Sequence, residues 1–144
     1  MNIPATPEAP KGNYMSYVQS GNMLFLAGHL PKPADGDLIC GCVGENMGIE
    51  EGKHAAKMAS LQMISSMTAA LGDLDRVKRI VKINGFVNCT RDFVDQPAVL
   101  NGCSDTMVEV FGIEVGRHAR SALAANSLPL GVAVEIEAII EVKD

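Results

Sequence analysis

A chain of 144 residues, 47% of them hydrophobic, is long enough for one compact core and too short for two of ordinary size. With no tryptophan, two tyrosines and four phenylalanines against eight methionines, that core has to be aliphatic, and methionine specifies shape weakly. A net charge of −5, with no basic run beyond Arg76-Val77-Lys78-Arg79, argues against a phosphate-tracking surface and so against nucleic acid as a partner.

Residues 1–144 are expected to form a single domain, with residues 1–12 an extended leader because Pro4, Pro7, Pro10 and Gly12 suit neither a helix nor a central strand. Met15–Gln19 and Met23–Ala27 are short apolar segments around a Ser20-Gly21-Asn22 hairpin turn. Gly28 closes the second segment; it reads either as a turn glycine before Pro31 or as a point of close approach to a ligand or backbone. Residues 31–48 are rich in glycine and are expected to be a loop with at most a short strand.

From Ile49 to Leu71 the apolar spacing changes to threes and fours, with His54, Met58, Leu61, Ile64, Met67 and Leu71 on one stripe. Glu50 and Glu51 in the first turn and Gly72 after the last complete an amphipathic helix. Val77–Cys89 alternates as a long strand, placing Val77, Arg79, Val81, Ile83, Gly85 and Val87 on one face and Lys78, Ile80, Lys82, Asn84, Phe86 and Asn88 on the other. Pro97 after Asp95 opens a second helix through Val99, Leu100, Met107, Val108 and Phe111, closed by Gly112. Arg117–Ala125 and Val132–Val142 are the last two strands. In the final one the even positions from Val132 are apolar, whereas Ala133, Glu135, Glu137, Ile139 and Glu141 form the other face.

The order β-β-α-β-α-β-β predicts an α+β fold, one sheet with two helices on one face. The uncovered face, carrying Ile80, Phe86 and Ile139, suggests association with further copies of the chain. The four cysteines, Cys40, Cys42, Cys89 and Cys103, follow no signal-peptide pattern and are expected as free thiols in a cytoplasmic protein. Cys40-Gly41-Cys42 is one residue short of a Cys-x-x-Cys hook and has no second hook, so no metal is expected. No apolar run approaches the ~20 residues needed to span a bilayer, so no membrane partner is expected.

Chemistry is expected where polar groups interrupt strands. Arg120 offers a planar fork of N–H donors suited to a carboxylate, and Glu135 can position water and move a proton. The alternative is that the two merely form an ion pair, which on a surface signals no function.

Ala119-Arg120-Ser121, Leu128-Pro129 and Val134-Glu135-Ile136-Glu137-Ala138-Ile139 resemble the C-terminal signature of the Rid family (RidA/YjgF, or L-PSP endoribonuclease family). The likeness continues upstream through Asn13-Tyr14, Gly21-Asn22-Met23, Ala27-Gly28-His29-Leu30-Pro31, Leu71-Gly72-Asp73 and Val87-Asn88, covering about residues 13–142. The resemblance implies a chorismate-mutase-like α+β fold, a homotrimer with ligand clefts between subunits, and hydrolysis of reactive enamines and imines such as 2-aminoacrylate to 2-keto acids and ammonia. It implies no metal or cofactor. By position, Arg120 matches the arginine that grips the substrate carboxylate, Glu135 the glutamate that orients water, Gly28 a backbone contact, Tyr14 a rim tyrosine and Asn101 an asparagine of the second helix.

Three departures resemble a sister branch of the family. Ala122 stands where archetypal members carry a cysteine, and both the segment between Asn101 and Arg120 and the loop before the first helix are longer. The competing readings are a trimer that binds small carboxylates without catalysis and, from the family's older name, a ribonuclease. In the implied fold the long Val77–Cys89 strand separates Arg120 from Glu135, so the two are expected to meet through a ligand or across a subunit boundary.

Overall fold

The computed structural model describes residues 1–144. Gly21, at a φ of +62°, supplies the left-handed turn that joins β1 (Tyr17–Ser20) to β2 (Met23–His29). Helix α1 (Ile49–Leu71) starts where the Gly48 N–H donates to Glu51 Oε1 at 3.1 Å. It stops at Gly72, whose φ of +79° lets its N–H reach the Thr68 carbonyl at 2.8 Å. The remaining elements are β3 (Val77–Asn88), α2 (Gln96–Gly116), β4 (Ala119–Ala125) and β5 (Val134–Val142).

The sheet order is β1-β2-β5-β3-β4, with β3 and β4 parallel and the other pairs antiparallel. Helix α2 makes the crossover that a parallel pair requires. Both helices pack on one face, where Leu24, Ile83, Ile136 and Ile140 of the sheet meet Met63, Met67, Leu100 and Met107, all fully buried. On the bare face Val18, Phe25 and Leu123 remain exposed. No helix is long and apolar enough to cross a membrane, and all four cysteines are free.

Several local expectations are corrected. Strand β3 does not alternate strictly: its pairing with β5 shifts between Val77 and Arg79 and again between Ile80 and Lys82. Each shift inserts a residue and reverses the facing, so Ile80 lies level with Ile140 in the core and does not belong to the bare face. In α1, Leu61, Ile64, Met67 and Leu71 of the expected stripe are buried, and Ala55, Ala59 and Met63 are buried with them, while His54 is exposed. Ala133, assigned to the glutamate face, is fully buried in the bend before β5. Gly112, expected to end α2, breaks it at a φ of 83°, and a last helical stretch follows to Gly116.

Residues 1–12 form neither helix nor strand, and they are tied down. Pro4 is buried, Ile3 packs against the core, the Glu8 N–H donates to Gln62 Oε1 at 3.2 Å, and Lys32 Nζ lies 3.6 Å from Glu8 Oε1. Gln62 also donates from Nε2 to the Lys32 carbonyl at 2.8 Å, so one buried amide fastens both the leader and the loop after β2.

Candidate functional site

Arg120 enters the site because β4 follows directly on α2. The break at Gly112 turns the chain back, and Gly116 then lies so close to the helix that a Cβ there would meet the Met107 carbonyl oxygen at 2.5 Å. This close return brings His118 over Ser104. A carbonyl can only accept, so the 2.7 Å contact between His118 Nδ1 and the Gly116 oxygen places the ring proton on Nδ1. Nε2 then accepts from the Ser104 hydroxyl at 2.9 Å. Burial holds the His118 pKa below its ordinary value despite that carbonyl, and the Arg120 charge pushes the same way, which keeps the ring neutral around neutral pH.

The Arg120 side chain lies on the helix-covered side, since Arg120 is level with the buried Ile83. Its Nη1 donates to Asn101 Oδ1 at 2.9 Å and to Ser104 Oγ at 3.1 Å, and Nη2 approaches the Pro97 carbonyl at 3.5 Å. No carboxylate neutralises it. Asn101, Ser104, Asp105, Arg117, His118 and Arg120 line an open cleft of about 260 Å³.

Glu135 sits elsewhere. It is level with Phe86, three residues further along β3, and so projects from the bare face. Its carboxylate lies against the backbone of Gly28, where a Cβ would come within 2.8 Å of Cδ. The strand pairing shifts between Leu26 and His29, beside this contact. Burial, then the charge of Glu137, raises the Glu135 pKa above its ordinary value. No cation pairs with it, while Glu137 receives the Asn84 Nδ2 hydrogen bond at 3.1 Å. The expected alternative of an Arg120–Glu135 ion pair is therefore absent from the chain.

Gly28 and Tyr14 also line a small cavity of about 40 Å³ beneath the leader, together with His29, Gln62 and Lys11. The predicted residues thus fall into two groups: Tyr14 and Glu135 around Gly28, and Asn101 around Arg120. Ser104 and His118 were not anticipated. Ser104 was detectable in principle, because it lies three residues after Asn101 on the same helix face.

The whole-chain comparisons agree with this architecture. Residues 1–141 match the family described as "YjgF/chorismate mutase-like, putative endoribonuclease". Two helices on a mixed five-stranded sheet are the fold of that class, and the chain belongs to the YjgF family, as the C-terminal signature implied. It is 49% identical to Protein TCP17 of Trypanosoma cruzi, over 100% of this chain and 89% of that one. A structure of a protein of unknown function from Agrobacterium tumefaciens superposes with a TM-score of 0.90 at 37% identity, covering 98% of this chain and 86% of the other. A relative from Dermatophagoides farinae, named 2-iminobutanoate/2-iminopropanoate deaminase, is 28% identical over 98% of this chain and 96% of its own.

Proposed function

We propose that the chain hydrolyses small reactive 2-imino acids, of the kind formed when 2-aminoacrylate tautomerises, to 2-keto acids and ammonia. In this reading it acts as a homotrimer whose clefts join Arg120 and Asn101 of one copy to Glu135, Gly28 and Tyr14 of the next. The observation that carries the reading is that Arg120 and Glu135 are both left without a counter-charge, each at the margin of a cavity or against an exposed face. A carboxylate on the first and a water on the second would satisfy both. The name of the mite relative supports the same chemistry.

Arg120 would hold the substrate carboxylate, placing the imine carbon next to it within reach of water. Glu135 would accept a proton as water oxygen bonds to that carbon and the C=N electron pair moves to nitrogen. The proton returned to nitrogen completes the carbinolamine, and as its C–N bond breaks the hydroxyl proton passes to nitrogen, so that ammonia leaves and the keto acid remains. One water is consumed and one ammonia released. A raised Glu135 pKa makes the carboxylate a better proton acceptor.

The test is ammonia release from freshly generated 2-aminoacrylate, in the presence of wild type, Arg120→Ala or no protein. Acceleration by wild type that is lost in the variant is the expected result; no acceleration refutes this reaction. Ala122, in place of the family's cysteine, favours a second reading in which the same site binds a small carboxylate without turning it over. Binding of a keto acid through Arg120 with no acceleration would select that reading. RNA cleavage that survives purification and vanishes in Arg120→Ala would instead select the ribonuclease reading.

A further inference from the structure

We infer that Ser104 and His118 are positioning residues that lock the Arg120 guanidinium so that a carboxylate docks along its Nε–Nη2 edge. The inference rests on the reading of Arg120 as the carboxylate grip and adds the orientation of that grip and the groups that impose it.

A guanidinium carries five N–H donors and can meet a carboxylate in two bidentate ways. The end-on fork uses one hydrogen from each terminal nitrogen. The side-on fork uses Nε–H with one hydrogen of Nη2. In this chain both hydrogens of Nη1 are spent, on Asn101 Oδ1 at 2.9 Å and Ser104 Oγ at 3.1 Å. The end-on fork is thereby closed. Nη2 has only the long 3.5 Å approach to the Pro97 carbonyl, and Nε donates to nothing. The side-on edge is what remains.

Ser104 can serve as an acceptor for Arg120 only if its own hydrogen points elsewhere. His118 arranges this. Its Nδ1–H donates to the Gly116 carbonyl at 2.7 Å, leaving Nε2 as the acceptor of the Ser104 hydroxyl at 2.9 Å. The donors then run in one direction, from Arg120 to Ser104 to His118 to the main chain. Gly116 reaches its place only because it lacks a side chain against Met107. The segment from Gly112 to His118, part of the stretch between Asn101 and Arg120, thus secures a serine that the helix alone would leave free to rotate. Asp105 and Arg117 line the same cleft and hydrogen-bond to none of these three side chains.

The Nε–H resonance of Arg120, assigned by its loss in Arg120→Lys, reports the orientation directly. Without ligand, its heteronuclear NOE should be high in wild type, fall in Ser104→Ala and recover in Ser104→Thr, which keeps the hydroxyl. With pyruvate as the probe, that resonance should move downfield on saturation. Affinity should drop about tenfold in Ser104→Ala, the effect of losing a hydrogen bond to a charged group, and return in Ser104→Thr. If Ser104→Ala does not fold, His118→Phe makes the same comparison, since it keeps the serine and removes its acceptor. An unchanged NOE in the variant, or bound pyruvate that leaves the Nε–H unshifted, overturns the inference. Failure of wild type to bind pyruvate counts against the carboxylate-site reading, whereas the ligand-free NOE alone decides whether Ser104 positions Arg120.

Discussion

Arg120 and Glu135 project from opposite faces of one sheet: the first is level with Ile83 and the second with Phe86, three residues away along β3. A site that uses both must draw them from different copies. In the proposed assembly each cleft needs an intact residue from each of two neighbours, so mixing Arg120→Ala with Glu135→Gln under conditions that exchange subunits should restore about a quarter of the proposed deaminase activity. Two variants that stay inactive after verified exchange would show that the residues do not share a cleft.

Gly28→Ala should act on the site more than on the fold. The new methyl group would press on the Glu135 carboxyl, within 2.8 Å of Cδ, and the half-exposed glutamate can swing away. Stability should fall by about 1 kcal/mol or less, while ammonia release drops by a factor of about ten or more. Thermal midpoints and rates measured on the same preparation separate the two effects.

The sign of the Glu135 pH effect follows from its cause. Burial and Glu137 raise its pKa in the folded chain, so the folded state holds its proton more tightly than the unfolded state. Its contribution to stability therefore falls as pH rises from the ordinary carboxylate value to the raised one. Glu135→Gln should be the more stable protein at neutral pH, by less than about 1 kcal/mol because the group is partly exposed, and should lose that advantage in acid. Paired melting curves at acid and neutral pH check the direction.

Gly102→Ala tests how closely the helices approach. A Cβ at Gly102 would collide with the backbone carbonyl of Lys53, and its distance to Lys53 Cα would be 3.1 Å. Backbone cannot rotate aside as a side chain can. Destabilisation of about 2–4 kcal/mol is expected, with weaker carboxylate binding because Asn101 and Ser104 flank the displaced turn. Denaturant melts and keto-acid titration measure both.

Gln62→Ala removes the amide that holds the Glu8 N–H and the Lys32 carbonyl, leaving both without this side-chain partner. A loss of about 1–3 kcal/mol is expected, together with faster tryptic cleavage at Lys11, since the segment beside the Tyr14–Gly28 cavity would come loose. Unchanged digestion kinetics would mean that Pro4 and Ile3 suffice to hold the leader.

The elements were legible where periodicity and punctuation coincide. The first helix could be read to its ends because the paired glutamates and Gly72 bracket a regular pattern. Strand β3 could be located but not faced throughout, since two register shifts exchange its sides and no residue type announces a bulge. Gly112 identified an interruption without revealing that helical turns resume after it. In the site, Arg120 and Glu135 stood out as polar residues in apolar strands. That they face away from each other depends on which strands pair, and pairing is a property of the whole sheet. Ser104 and His118 stayed hidden because a serine inside a helix and a histidine before a strand are ordinary until the chain folds back between them.

That fold-back lies outside the ladder. Strand β4 runs level with β3 from Lys82 and Ala119 through Asn88 and Ala125, and none of these rungs depends on the length of the stretch between Gly112 and His118. A change of length there would alter the surroundings of the arginine while leaving the rungs of its strand in place. Members with a shorter connection should have to steady their arginine with groups from another part of the chain.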